Sequence, residues 1–196
     1  TTEFAMRLGR AAARVLGVDG VTNVVVGGDT RESTATLDQA LCDGFALEGI
    51  DVVRLGVAPT PQVAFEAQRR DALGAVVSAS HNVWTDNGIK LFARGGVKLT
   101  DEVERRIEAE LDALAAEPAS PSAERGRIVE TGADHDAYIA HVVGFLEGLD
   151  LDGLRIVLDA ANGAGHVIGP EVLRAAGADV IVVAAAPDGR NINDGC

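Results

Sequence analysis

The residues best suited to chemistry lie between Val77 and Phe92, in the stretch Val-Ser-Ala-Ser-His-Asn-Val-Trp-Thr-Asp-Asn-Gly-Ile-Lys-Leu-Phe. Ser80 offers a hydroxyl, His81 an imidazole that exchanges a proton near neutral pH, Asn82 an amide and Lys90 a cation. Apolar runs on both sides place these groups at the ends of two adjacent strands, where open α/β sheets carry their sites. A serine that carries a phosphoryl group presents a dianion, which needs donors and cations around it. Phosphoryl transfer rests on such positioning and charge neutralisation more than on covalent help from the protein. Lys90 alternates with Ile89 and Leu91, so it faces the side opposite to them. There it neutralises transferring charge or, alternatively, only guards a sheet edge. Ser78 and Ser80 have a plainer reading too, as serines that bond their own turn. His81 either handles a phosphate or proton or is a hydrogen-bonded structural residue, and Asn82 is read as holding the loop.

The wording Ser-Ala-Ser-His-Asn followed by Asp-Asn-Gly-Ile-Lys resembles the active-site serine loop of the phosphohexose mutases, most of all the bacterial phosphoglucosamine mutases. The resemblance implies that Ser80 is the phosphorylated residue, with His81 and Lys90 as its catalytic neighbours. It implies interconversion of glucosamine 6-phosphate and glucosamine 1-phosphate for cell-wall precursor synthesis, through a sugar bisphosphate. It also implies a magnesium ion that touches Ser80 through its phosphate and takes its carboxylates from elsewhere. A homodimer formed through the first domain is a further expectation. The family usually has Pro after Ser-His-Asn, whereas this chain has Val83, which leaves φ free. The family's Gly-Thr-Asp-Gly-Ile-Arg-Gly segment and its Asp-Gly-Asp-Gly-Asp-Arg metal loop are not in this sequence. The chain is therefore expected to be an N-terminal fragment of a longer enzyme. Two alternatives stand beside this reading: a phosphoglucomutase or phosphomannomutase, and a non-catalytic α/β interaction domain that kept the loop.

Other motifs say less. Gly27-Gly-Asp-Thr-Arg-Glu-Ser33 joins a strand to a helix, where free amides attract anions, but it lacks the P-loop pattern. Asp29 and Arg31 are expected to pair with each other or with the Ser80 loop. Asn162-Gly-Ala-Gly165 invites a dinucleotide reading, but its glycine spacing is too long and no acidic residue ends the next strand. His135 and His141 lie on an expected helix and His166 near a helix start, with no metal spacing among them. Lys98 is read as solvated or capping.

The elements that position these residues follow from apolar periodicity. Helices are expected over residues 3–16, from a Ser33 cap to Glu48, after Pro59-Thr-Pro61, from a Thr100 cap with stripe Val103, Ile107, Leu111 and Leu114, and over 136–146. Strands are expected over 24–26, 51–55, 74–78 and 89–92, the last antiparallel because only a short turn precedes it. Residues 117–126, with Pro118, Ser120, Pro121, Ser122 and Gly126, read as a surface loop. Strand, helix and strand then recur over 155–159, 171–176 and 179–184. The fold class is α/β: a three-layer α/β/α domain with a mixed sheet over residues 1–148, then the incomplete start of a similar domain over 149–196.

The bulk numbers agree. The 196 residues allow one full domain and part of another, and 47% apolar content suffices for a core. A net charge of −13 argues against a nucleic-acid surface, yet a few local cations can still hold a phosphosugar. No run approaches the ~20 apolar residues of a membrane helix, and the start shows no signal peptide. Two cysteines, Cys42 and Cys196, form neither a disulfide framework nor a zinc site. The expected location is the cytoplasm.

Overall fold

The computed structural model describes residues 1–116, 124–146 and 148–196. The order is α1 (Thr2–Leu16), β1 (Asn23–Gly28), α2 (Thr34–Leu47), β2 (Asp51–Val57), α3 (Thr60–Arg69), β3 (Leu73–Val77), β4 (Ile89–Ala93), β5 (Val97–Lys98), α4 (Asp101–Ala113), β6 (Ile128–Glu130), α5 (His135–Gly144), β7 (Arg155–Asp159), α6 (Ile168–Ala175) and β8 (Asp179–Val183). Six strands form one mixed sheet in the order β5-β4-β3-β1-β2-β6, and β7 and β8 form a separate parallel pair. β1, β2, β3 and β6 run parallel, while β4 lies antiparallel to β3 and β5 antiparallel to β4.

The layers follow from side-chain alternation along the strands. Val24, Val26, Val52, Ala75 and Val77 point to one face, against Leu41 and Phe45 of α2 and Ala5 and Ala12 of α1. Val25, Leu55 and Val76 point to the other, with Val63 of α3 and Phe92 of β4. A third cluster joins Ala11 of α1 to Leu99, Ile107 and Leu114. The helices α1 and α2 cross at their glycines, where a Cβ on Gly44 would lie 2.1 Å from the Met6 carbonyl oxygen and one on Gly9 2.4 Å from that of Leu41. At this crossing Arg10, 2% exposed, reaches Glu48 at 2.7 Å, and Arg14 ties the same carboxylate to Glu110 of α4.

Some expectations need correction. Ser33 occupies the cap position of α2, but its hydroxyl makes no cap bond and instead accepts from Asn87 Nδ2 at 2.9 Å. Thr100 does cap α4, accepting from the Val103 amide. β5 and β6 are additional strands, each too short to leave a periodic signal. Gly126, read as surface loop, instead packs under the Ile50 backbone and donates to the Ala46 carbonyl at 2.8 Å, leading the chain into β6. Pro118, Ser120, Pro121 and Ser122 lie outside the described residues. α5 begins at His135 and ends at Gly144, short of the expected Leu146.

Candidate active site

The loop between β3 and β4 starts at the C-terminal end of a central parallel strand. Its base is fixed: the Ser78 amide donates to Gly88 O at 2.8 Å, and Asn87 Nδ2 reaches Ser33 and Thr34 on α2. The two serines separate in role here. Ser78 Oγ accepts from the Ser80 amide at 3.0 Å, so it serves the turn. Ser80 has φ +58, in the left-handed region, and its hydroxyl has one neighbour, His81 Nδ1 at 3.5 Å. Asn82 bonds within the loop, donating to Asp86 at 3.1 Å.

Beneath the loop, Asp29 and Arg31 form a buried ion pair. Asp29 also accepts from the Thr34 hydroxyl at 2.9 Å and the Arg31 amide at 3.1 Å. Arg31 Nη2 in turn donates to the carbonyls of Ser80 at 3.2 Å and Asn82 at 2.6 Å. Both pairings expected for these residues are therefore present together.

The unit containing β7, α6 and β8 contributes the opposite wall. Ser80 and His81 line a cleft of about 380 Å³ whose other side is Ala161, Gly163, Gly165 and Asn193. Thr30 donates to the Asn162 carbonyl at 2.6 Å, and Asn193 Nδ2 to the His81 carbonyl at 2.7 Å. Arg190 makes two bonds to Glu32 at 2.7 and 3.1 Å, and its guanidinium lies 5.3 Å from the centre of the Trp84 ring. The turn whose dinucleotide reading the glycine spacing disfavours is architectural: Asn162 bonds Asn191 O and the Ala186 amide within its own unit.

Lys90 is exposed and lines a neighbouring cavity of about 510 Å³, not the Ser80 cleft. Thr60, at the start of α3, borders both spaces. No hydrogen bond or ion pair of the Lys90 side chain is found among the described residues. Lys98 is exposed on β5. His135 Nδ1 faces Gln62 Nε2 at 3.2 Å, His141 stacks among Phe65, Tyr138 and Phe145, and His166 Nδ1 lies 2.8 Å from Gly163 O. Among the described residues no three His, Cys, Asp or Glu side chains cluster as a metal site, and no helix is long and apolar enough to cross a membrane. Sequence reasoning missed Thr30, Glu32, Trp84, Arg190 and Asn193. Thr30, Glu32 and Trp84 lie within stretches the sequence singles out, and for Arg190 and Asn193 the available signal was the turn-rich run Pro187-Asp-Gly-Arg-Asn-Ile-Asn193, which reads as a loop without indicating what it touches.

With this geometry in hand, comparison with known proteins finds the family described as phosphoglucomutase/phosphomannomutase, alpha/beta/alpha domain I, over residues 1–117. The chain is 47% identical over 201 residues to a phosphoglucosamine mutase of Thermobifida fusca and 48% identical over 202 residues to one of Paenarthrobacter aurescens. Each match covers 100% of this chain and 44% of the relative, so the chain spans less than half the length of these curated relatives. A solved phosphoglucomutase/phosphomannomutase family protein from Burkholderia thailandensis superposes with a TM-score of 0.80 at 28% identity, covering 96% of this chain and 41% of the other.

Proposed function

The chain belongs to the phosphoglucomutase/phosphomannomutase family, and from that premise we propose that it is the phosphoserine-bearing part of a phosphoglucosamine mutase. The observation that carries the proposal is Ser80: a left-handed serine at a strand end, facing a cleft between two units, with one imidazole nitrogen 3.5 Å from its hydroxyl. The phosphoglucosamine mutase relatives, at 47 and 48% identity over the whole chain, favour glucosamine 6-phosphate over other hexose phosphates as substrate.

In this reading Ser80 works as a phosphoryl relay. The C1 hydroxyl of the sugar phosphate attacks the phosphorus of phospho-Ser80. The bond from phosphorus to Oγ breaks, the hydroxyl proton leaves to a base, and a sugar 1,6-bisphosphate forms. The bisphosphate turns around, Ser80 Oγ gives up its proton to the base and attacks the phosphorus of the 6-phosphoryl group, the bond from phosphorus to O6 breaks with O6 taking up a proton, and the 1-phosphate product leaves with phospho-Ser80 restored. His81 orients the phosphoryl group or takes the Oγ proton, and Lys90 offsets charge from beside Thr60. The 3.5 Å approach of His81 Nδ1 to the Ser80 hydroxyl supports the first role, and Thr60, shared by the Lys90 cavity and the Ser80 cleft, supports the second.

Magnesium requires several oxygen ligands in near-octahedral geometry. The described residues hold no such cluster, so they do not by themselves fit a magnesium site, and no step here is assigned to the ion. Our reading takes the carboxylates from outside this chain, leaves the chain inactive by itself, treats residues 149–196 as the opening of a second domain, and allows a homodimer through residues 1–148. The test is Ser80→Ala in the full-length protein. Turnover should disappear with the fold intact, and retention of more than about a hundredth of the wild-type rate, under ~3 kcal/mol of lost barrier stabilisation, overturns the relay.

A further inference from the structure

Three successive carbonyls of the serine loop are each held by a side chain from outside the loop. Arg31 Nη2 donates to the carbonyls of Ser80 and Asn82, and Asn193 Nδ2 donates to that of His81 between them. The donors come from opposite directions. Arg31 belongs to the β1–α2 connection, with its side chain buried and paired to Asp29. Asn193 belongs to the segment after β8, 112 residues beyond His81 in the chain.

A peptide group is planar, so fixing its carbonyl fixes the amide on the other side. Three fixed carbonyls in a row therefore fix the backbone of His81 and Asn82 and the exit from Ser80. Ser80 needs that restraint, because its φ of +58 lies where residues with a Cβ are disfavoured. A loop released at its middle carbonyl would relax toward ordinary backbone angles and carry the hydroxyl away from the cleft. Neither Arg31 nor Asn193 contacts Ser80 Oγ.

We infer that Arg31 and Asn193 are positioning residues for the Ser80 nucleophile, and that its reactive conformation exists only while the β7–β8 unit is docked on the larger sheet. This rests on the relay reading of Ser80. The docking has its own brace: the Glu32 amide donates to Gly189 O at 2.8 Å, and Arg190 bridges Glu32 and the Trp84 ring. The smaller unit thus licenses the loop from outside, and separation of the units switches off the nucleophile.

Asn193 is exposed and itself has φ +58, so Asn193→Gly removes the amide without adding strain. Trp84 is the only tryptophan of these 196 residues and lies on the loop; with any tryptophan elsewhere in the full-length protein replaced by phenylalanine, acrylamide quenching of its emission reports loop order without any chemistry. The measurement uses the full-length protein with magnesium, glucosamine 6-phosphate and a sugar 1,6-bisphosphate primer. In Asn193→Gly, quenching should increase toward that of free tryptophan while the melting temperature holds. Its kcat should fall by about 10- to 100-fold with KM unchanged, as for a misplaced reacting group. Arg31→Lys keeps a charge beside Asp29 but cannot bridge two carbonyls with one ammonium, and should lower kcat in the same way. A wild-type kcat in Asn193→Gly overturns the inference whatever the quenching does. If the wild-type protein itself never transfers a phosphoryl group, the relay reading fails, and quenching alone then decides: increased quenching upholds positioning and unchanged quenching overturns it.

Discussion

At the scale of single residues, the serine loop divides its polar groups between chemistry and support. Ser80 and His81 face the cleft, whereas Ser78 and Asn82 spend their bonds on the loop itself and Asn87 ties its base to α2. Their order in sequence does not reveal that division, since Ser78 and Ser80 look alike until the 3.0 Å bond from the Ser80 amide to Ser78 Oγ is seen. Lys90 is the residue whose role is most open to test. Its Cα pairs with that of Val76, it is exposed, and its side chain has no partner among the described residues, so it contributes little to folding. Lys90→Met keeps the aliphatic stem and removes the cation. The full-length variant should melt at the wild-type temperature and turn over about 10²-fold more slowly, as on loss of one preorganised electrostatic contact. An unchanged rate returns Lys90 to a sheet-edge role, and a large loss of melting temperature makes it structural.

At the scale of elements, the legible features were those with long periodic signals. Val24, Val25 and Val26 announce a strand, and Val103, Ile107, Leu111 and Leu114 a helix, because each repeats its spacing over enough residues to separate two faces. β6 was hidden because its three residues, Ile128–Glu130, are too few for a period and follow a proline-rich stretch. Its strand character comes from pairing with Val52, Val53 and Arg54, a contact across the chain. The Asp29–Arg31 pairing was legible because the residues are two apart, whereas the Asn193 contact depends on how two units dock. The α1–α2 crossing gives a test of packing. Gly44→Ala drives a methyl group into the Met6 backbone, where no side chain can give way. Such overpacking costs about 1–3 kcal/mol, and for a chain of this size each kcal/mol lowers the melting temperature by about 2–4 °C. A melt at the wild-type temperature would mean that the helices do not cross so closely. The Arg190 brace has its own signature in pH. The hydrogen bond from Arg190, helped by its charge, holds the Glu32 carboxyl below the ordinary glutamate value of 4.5, against the opposing effect of desolvation. A depressed folded value means that the brace is fully present above about pH 4.5 and is lost as pH falls through that lower value. Trp84 emission should therefore change on acidification with a midpoint below 4.5, and Glu32→Gln should remove the transition. A midpoint at or above 4.5 contradicts the pairing.

At the scale of the whole molecule, a mixed sheet with helices on both faces brings the ends of β1 and β3 together beneath one cleft, and a second β-α-β unit closes its far side. The net charge of −13 does not by itself exclude a phosphosugar, because carboxylates more than about a Debye length from the cleft are largely screened. The central claim is that Ser80 is the covalent carrier, and it can be read directly. The full-length protein is incubated with magnesium and a sugar 1,6-bisphosphate, digested, and mapped by tandem mass spectrometry. One phosphate is expected, on Ser80 and not on Ser78, and it should acquire the label when glucosamine 6-phosphate carrying an 18O-labelled phosphoryl group is turned over. A protein that turns over substrate while Ser80 stays unmodified, or while the phosphate sits on another residue, would contradict it.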